Sequence, residues 1–424
     1  MPNAFSKEER VSFENILEGF QDALVLSRNV AVFNTSSTEM ERANNIIWRP
    51  QPYIATSYSG TDMTTNFDDY SQLSVPATLG FQRSVPWIMT ATELRDALQE
   101  GRLGDAAKQK LASDINVAVM NVAANQGTLF VKRSAAAAGF DDVAQCDAIM
   151  NERGVQMNDR YLALSTRDYN GMASNLAVST RSFGNTVSDP ALRKTLVGQV
   201  ASFETYKLDY ANRKTAAAGG GGLTVSTLAA ALNYWVPKAT NVATTGETSN
   251  VDNRYQTITI SSTTNVVAGD AFTIAGCNSV HLITKQDTGQ LMTFRVISVP
   301  SSTTLVISPP IISNQGLSDA ETQYQNCTMT STSGTAAIVF LNTVTAFVNP
   351  FWFKDSIELL PGRYAVPTDA GAAVMRASTD QGIELVMQKQ YDINTMRTKY
   401  RLDTLYGVVN KQPMMSGIMM FSQT

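Results

Sequence analysis

The sequence predicts an α+β fold in which an all-β block is inserted between two parts of a host domain. Three observations carry this. Two long helices open with reciprocal N-terminal caps, one at Ser6 and one at Thr90. Four consecutive glycines, Gly219, Gly220, Gly221 and Gly222, mark a boundary. Beyond them only ten residues of 223–345 are Asp, Glu, Lys or Arg, and short alternating apolar runs replace the helical period.

The first helix starts where Ser6 is followed three residues later by Glu9, the spacing of a capping box. Phe13, Ile16, Leu17, Phe20 and Leu24 follow on one face at helical spacing. Glu14, Glu18 and Asp22 recur every four residues beside that stripe, a pattern that also suits an ordinary solvated face. From 44 to 90 no helical period appears. Pro50, Pro52, Pro76 and Pro86 and the turn Ser59-Gly60-Thr61-Asp62 suggest a long projecting hairpin.

Thr90 and Glu93 open the second helix, whose face runs through Leu94, Leu98, Leu103, Ala107, Leu111, Ile115, Val119 and Val122. Gly101 and Gly104 each weaken it by about 1 kcal/mol relative to Ala, so a kink or break is expected there. Gly127 sits where a left-handed cap is expected. Between 141 and 207 helices and short strands alternate, with a helix over 143–151 and a strand over 161–164. Within the β block, alternating runs at 257–261, 271–275, 292–299 and 304–308 are separated by turn residues, as in a small sandwich or barrel. Mixed character returns from 349 to 424.

Composition excludes several functions. The chain has 424 residues, enough for two or three domains at about 150 each. Its 33 basic and 37 acidic residues leave a net charge of -4, which argues against a surface built to grip phosphate. Charged residues are 17% of the chain, against about 25% in average soluble proteins. A weakly charged, hydroxyl-rich chain of this size often hides surface in contacts with other chains, although secreted β-proteins look similar.

Three cysteines, Cys146, Cys277 and Cys327, with no C-x-x-C spacing, argue against a disulfide framework and a cysteine zinc site. No apolar stretch suggestive of a secretory signal opens the chain, and the uncharged run 335–353 is interrupted by Asn342, Thr343, Thr345, Asn349 and Pro350. A buried strand running into a turn, in a soluble cytoplasmic chain, is the expectation.

No catalytic constellation emerges. His281 is the one histidine and has no motif around it, so a structural role is expected and Ser-His-Asp and Cys-His systems are disfavoured. Phosphate-loop, dinucleotide and zinc-protease patterns are absent. Asp68-Asp69 and Asp141-Asp142 are adjacent pairs whose side chains diverge on a strand, and turn residues explain them. Met414, Met415, Met419 and Met420 suit core filling better than a binding surface. No cofactor or metal is expected.

Four short stretches resemble a known family in order. They are Asn45-Ile46-Ile47-Trp48-Arg49-Pro50, Glu93-Leu94-Arg95-Asp96, Asn121-Val122-Ala123-Ala124-Asn125-Gln126-Gly127, and the longer 251–264, beginning Val251-Asp252-Asn253-Arg254-Tyr255-Gln256. Together they resemble the major capsid (coat) proteins of short-tailed double-stranded-DNA bacteriophages, in the branch with an inserted β-domain. The resemblance implies the tailed-phage and herpesvirus capsid fold. Residues 1–43 become an N-terminal arm and 44–92 an extended projecting loop. The segments 93–222 and 346–424 become the peripheral and axial core with its long spine helix, and 223–345 an inserted barrel-like β-domain.

It further implies self-assembly, as hexameric and pentameric capsomers, into an icosahedral shell that encloses packaged DNA. Assembly would pass through a scaffold-dependent precursor that expands on maturation, in the host bacterial cytoplasm. The expected partners are the chain itself, a scaffolding protein, a portal protein, and DNA by weak non-specific contact, with no membrane. Glu14, Glu18 and Asp22 then become a scaffold contact. Thr244, Thr245, Glu247 and Asp252 become an inter-capsomer loop, one with less charge than a relative's and so better suited to hydrogen bonds than salt bridges. Gly219–Gly222 remains a hinge. The competing readings are a surface-recognition or carbohydrate-binding β-protein and a two-carboxylate hydrolase using Asp141 or Asp142.

Overall fold

The computed structural model describes residues 5–33, 46–64, 67, 69–93, 97–178, 198–225, 234–313, 318–329, 335–366 and 371–423. Two compact units divide the chain: residues 1–47, 76–121 and 357–409 form the first, and 48–75, 122–356 and 410–424 the second.

The first unit is built on a six-stranded sheet. Its longest strand, Arg397–Asn410, pairs antiparallel with Phe81–Thr90 and with Glu384–Asp392. Two directly opposed aromatic pairs pin the first of these registers: Phe81 stacks on Tyr406 at 5.3 Å and Trp87 on Tyr400 at 5.5 Å. Such pairs contribute about 0.5–1.5 kcal/mol each beyond their buried area, and a one-residue slip would lose both.

Helix α1 spans Lys7–Ala23 and has the expected capping box: the Ser6 N–H donates to Glu9 Oε2 at 2.7 Å and the Glu9 N–H to Ser6 Oγ at 3.1 Å. Phe13, Ile16, Phe20 and Leu24 are buried; Leu17 lies at the edge of the stripe. Helix α2 spans Ala97–Gln126. Ahead of it Thr90 and Glu93 exchange the reciprocal cap bonds, at 2.8 and 3.4 Å, while Leu94, Arg95 and Asp96 lie outside the described residues.

Two expectations about α2 are corrected. The helix runs unbroken through Gly101 and Gly104, because Gly104 is where α1 packs. A Cβ there would lie 2.6 Å from Ile16 Cδ1, so close approach outweighs the propensity cost. Gly127 is not among the residues with positive φ, so it is no left-handed cap. Its lack of a side chain serves contact instead: a Cβ would meet Ala123 O at 2.8 Å and Gly417 N at 2.9 Å.

Two large sheets carry the second unit among the described residues, beside smaller two-stranded pairs. The first has six strands in the order Leu129–Lys132, Ser416–Met420, Asn349–Phe353, Arg160–Ser165, Phe203–Leu208, Gln199–Val200. Helices α3 (Phe140–Glu152) and α4 (Thr166–Val178) supply Val143, Cys146, Met150, Tyr169 and Met172 to its core. Met419 is in the same core, its sulfur 3.7 Å from Cys146 Sγ, as the gap-filling reading expects. The run 335–353 holds three strands, Ala336–Phe340, Ala346–Phe347 and Asn349–Phe353. Mixed character does not return after 349: the described residues there form strands and short 3-10 turns.

The β block forms a seven-stranded antiparallel sheet. Thr224–Val225 pairs with Ala336–Phe340, followed by Ala271–Val280, Asp287–Ser298, Thr304–Ser308 and Gln256–Thr259, with Cys327–Met329 added to Ala271–Val280. The sheet curls until its ends meet, Val225 bridging Ile260 and the Ser261 N–H donating to Thr224 O at 2.8 Å. Ile258, Phe272, Ile274, Phe294, Val296 and Ile307 fill its interior. This closure gives the barrel-like form, which leaves few unpaired edges.

Candidate interaction surfaces

Helix α1 is held by one face and presents the other. Glu9 turns inward to an ion pair with Lys389 and accepts from Tyr400 Oη at 3.1 Å. Burial alone would raise the Glu9 pKa; the Lys389 ammonium, the Ser6 N–H and the Tyr400 hydroxyl outweigh it and hold the carboxyl below its ordinary value. Asn116 of α2 clamps the C-terminal end, donating to Ala23 O at 3.0 Å and accepting from the Leu26 N–H at 3.2 Å. Glu14 and Glu18 are exposed. Asp22 continues the helix, but its side chain lies outside the described residues.

The segment 240–250 is a small hairpin. Thr240–Val242 pairs with Thr248–Asn250, and the Gly246 N–H closes the turn onto Ala243 O at 2.9 Å. Thr244, Thr245 and Glu247 are exposed at its tip. Asp252 is not with them. It sits at the hairpin base, where Arg254 Nη2 and Nε contact its carboxylate at 2.7 and 2.9 Å and Arg254 Nη1 donates to Asn410 O at 2.9 Å. Asn253 braces the same base, accepting from Trp235 Nε1 at 3.0 Å and from the Lys238 N–H at 3.1 Å.

The glycine run joins paired strands. Before it, Arg213–Lys214 pairs with Ala346–Phe347, and the Ala217 N–H donates to Asn342 O at 2.7 Å; after it, Thr224–Val225 pairs with Ala336–Phe340. Gly222 has φ +82°, the left-handed region that favours glycine. The incoming and outgoing chains of the β block therefore run side by side.

Buried polar residues tie the β block to the rest of its unit, and sequence reading did not single these out. Arg295 Nη2 donates to Ala124 O at 2.9 Å, in the last turn of α2, and Thr293 Oγ1 to Thr128 O at 2.8 Å. Arg295 is 2% exposed, and burial pushes its pKa down to about 10 against the opposing pull of Asp270. The one available signal was a cation inside an apolar run, Met292-Thr293-Phe294-Arg295-Val296, since arginine is seldom buried unless it bonds something.

The candidate catalytic residues have structural work. Asp142 is buried, accepts from the Ala138 and Gly139 N–H groups at 2.7 and 3.2 Å, and pairs with Arg133 at 2.6 Å. His281 Nδ1 accepts from the Ile283 and Thr284 N–H groups at 3.3 and 3.2 Å, and its ring covers Gly154. Asp68 lies outside the described residues. Among the described residues no three His, Cys, Asp or Glu side chains gather as for a metal, and no helix is long and apolar enough to cross a membrane.

Comparison with known proteins gives a family. Residues 1–422 match the family described as P22 coat protein, gene protein 5. The chain is similar to a solved structure of Mycobacterium phage Che8 (10% identity, TM-score 0.44, covering 93% of this chain and 90% of that one). It is also similar to the asymmetric unit of the bacteriophage PhiM1 mature capsid (10%, 0.42, 93% and 85%). A third likeness is to the CUS-3 coat protein I-domain (40%, 0.22, 29% and 98%). The chain belongs to the P22 coat protein family: its α+β fold is that of tailed-phage capsid proteins, and it is a self-associating structural protein of a phage capsid shell, not an enzyme.

Proposed function

We propose that the chain assembles, as hexameric and pentameric capsomers, into an icosahedral precursor shell around a scaffolding protein. The shell expands as DNA enters through a portal, and assembly takes place in the host bacterial cytoplasm. The observation that carries the scaffold step is the division of labour on α1: Glu9 is consumed by Lys389 and Tyr400, while Glu14 and Glu18 face solvent. A helix clamped at both ends with the Glu14 and Glu18 carboxylates exposed suits a basic helical partner, and by sequence spacing alone Asp22 is counted with them. The net charge of -4 suits a shell that lets DNA slide rather than binding it.

Residues 223–345 act as an inserted domain. The hairpin 240–250 is its contact to a neighbouring capsomer, with Thr244, Thr245 and Glu247 offering hydrogen bonds and Asp252 setting the base. Gly219–Gly222 provides what hinge movement the flanking strand pairs allow. The decisive experiment is velocity sedimentation of the purified chain with and without a basic scaffolding protein, repeated for E14K/E18K/D22K. Shells that form with scaffold in the wild type, and lose scaffold and its salt dependence in the variant, are expected. Unchanged scaffold incorporation would overturn the assignment of α1, and failure of the wild type to form shells would overturn scaffold-dependent assembly.

A further inference from the structure

Two parts of the second unit lie outside its large sheets. One is the hairpin 240–250, with Thr244, Thr245 and Glu247 exposed at its tip; the other is the segment 51–73, which exposes Tyr53, Tyr58, Phe67 and Tyr70. Each is lightly held. The hairpin pairs three residues per strand, and the described residues of the segment form no helix or strand. Both start from one root.

Ser74, just past the segment, bridges the backbone of Asp252, just past the hairpin. Arg254, which binds the Asp252 carboxylate, also donates to Asn410 O at 2.9 Å, and the next carbonyl, Lys411 O, accepts from Gln51 Nε2 at 3.0 Å. The Gln51 N–H donates to Leu73 O at 2.8 Å, which closes the two ends of the segment on each other. Trp235 makes the second link. Its Nε1 donates to Asn253 Oδ1, and Asn253 Nδ2 donates to Lys238 O at 2.8 Å and to Val251 O at 3.2 Å, on either side of the hairpin. With Ile54, Trp235 packs against the cluster of Leu73, Ile312 and Tyr324, and Tyr324 Oη donates to Ser71 O at 2.8 Å.

We propose that Trp235, Asp252, Asn253 and Arg254 form a shared anchor that couples the hairpin to the segment, so that a second copy of the chain engaging one of them orders the other. Conformational entropy lost at a common anchor is lost once: after one contact has ordered it, the next contact has less to order. Contacts to neighbouring copies are then made jointly rather than one at a time. This consequence rests on the reading of the hairpin as a contact to a neighbouring capsomer, whereas the coupling itself belongs to the unassembled chain.

The test is millisecond hydrogen exchange on the unassembled full chain, read at the bonded amides of Gln51 in the segment and of Ala243 and Val251 in the hairpin. L73A alters the segment and N253A the hairpin base. Each should speed exchange severalfold in both parts, because coupling between two sites is reciprocal. Exchange in the strand Thr304–Ser308 reports whether the barrel stays folded. Should L73A or N253A unfold it, W235F takes their place: it removes the Nε1 donor, keeps a ring beside Leu73, and should likewise speed exchange in both parts. Acceleration confined to the hairpin or to the segment, in a folded variant, would overturn the coupling. Shell formation by the wild type is scored separately, so a failure there strikes the capsomer reading and leaves the exchange result standing.

Discussion

Arg295, from the middle of a barrel strand, donates its Nη2 hydrogen to the carbonyl of Ala124, 171 residues earlier, at 2.9 Å. The C-terminal carbonyls of a helix lack intrahelical donors and carry partial negative charge, so a guanidinium there satisfies both needs. The side chain remains costly to bury, because its Nε and Nη1 have no hydrogen-bond partner. R295A should lower stability by about 2–4 kcal/mol, through the emptied volume and the orphaned carbonyl. R295M should cost clearly less, since it keeps much of the volume and removes the two unpartnered nitrogens. Urea unfolding of the three proteins checks the order; equal losses would show that volume is not the larger part.

At Gly104 two effects oppose. Alanine gains about 1 kcal/mol in helix propensity, but its Cβ would meet Ile16 Cδ1 at 2.6 Å in a packed interior, where overpacking costs about 1–3 kcal/mol. G104A should be neutral to destabilising on its own. Combined with I16V, which removes that methyl, it should be less damaging than the sum of the single changes. A double-mutant cycle by thermal unfolding measures the coupling; additivity would mean α1 and α2 do not meet there.

Acid should loosen α1. The Glu9 carboxyl is held below its ordinary pKa, so the stability it contributes is complete above the unfolded-state value and disappears as pH falls through the folded-state one. Hydrogen exchange of α1 amides should therefore accelerate, relative to the rest of the first unit, as pH drops below the ordinary glutamate range. E9Q should exchange faster at neutral pH and show a smaller acid-dependent step. An identical acid step in E9Q would assign it to another group.

Gly154 combines two demands: φ +79° and a His281 ring atom 2.6 Å from where a Cβ would stand. G154A should destabilise by about 2 kcal/mol or more, through both backbone strain and contact. H281A/G154A should recover the contact part alone. Full recovery in the double variant, judged by denaturant midpoint, would show that the left-handed backbone costs nothing.

The sequence was most informative where a local rule decides the outcome. The cap at Ser6, the stripe from Phe13 to Leu24, and the alternation of Thr304–Ser308 all report on neighbours a few residues away. Gly104 and Gly127 were misread because their role is to let Ile16 and Gly417 approach, and no local pattern encodes a distant partner. The family resemblance placed Thr244, Thr245, Glu247 and Asp252 in one loop. The first three stand at the hairpin tip, whereas Arg254 holds Asp252 at its base. Arg295 had a local signal, a cation inside an apolar run, but the carbonyl that receives it, Ala124 O, comes from far along the chain.

The pairing of Arg213–Lys214 with Ala346–Phe347 has a consequence for how such a chain can change over time. Antiparallel neighbours stand about 5 Å apart, so to this two-stranded pair everything between them is a hairpin connection, whatever its length. Lengthening a flexible connection adds only about 0.6 kcal/mol per doubling, and a connection that folds on itself adds less. A change in the length of the intervening segment therefore leaves the register of this pair unaltered.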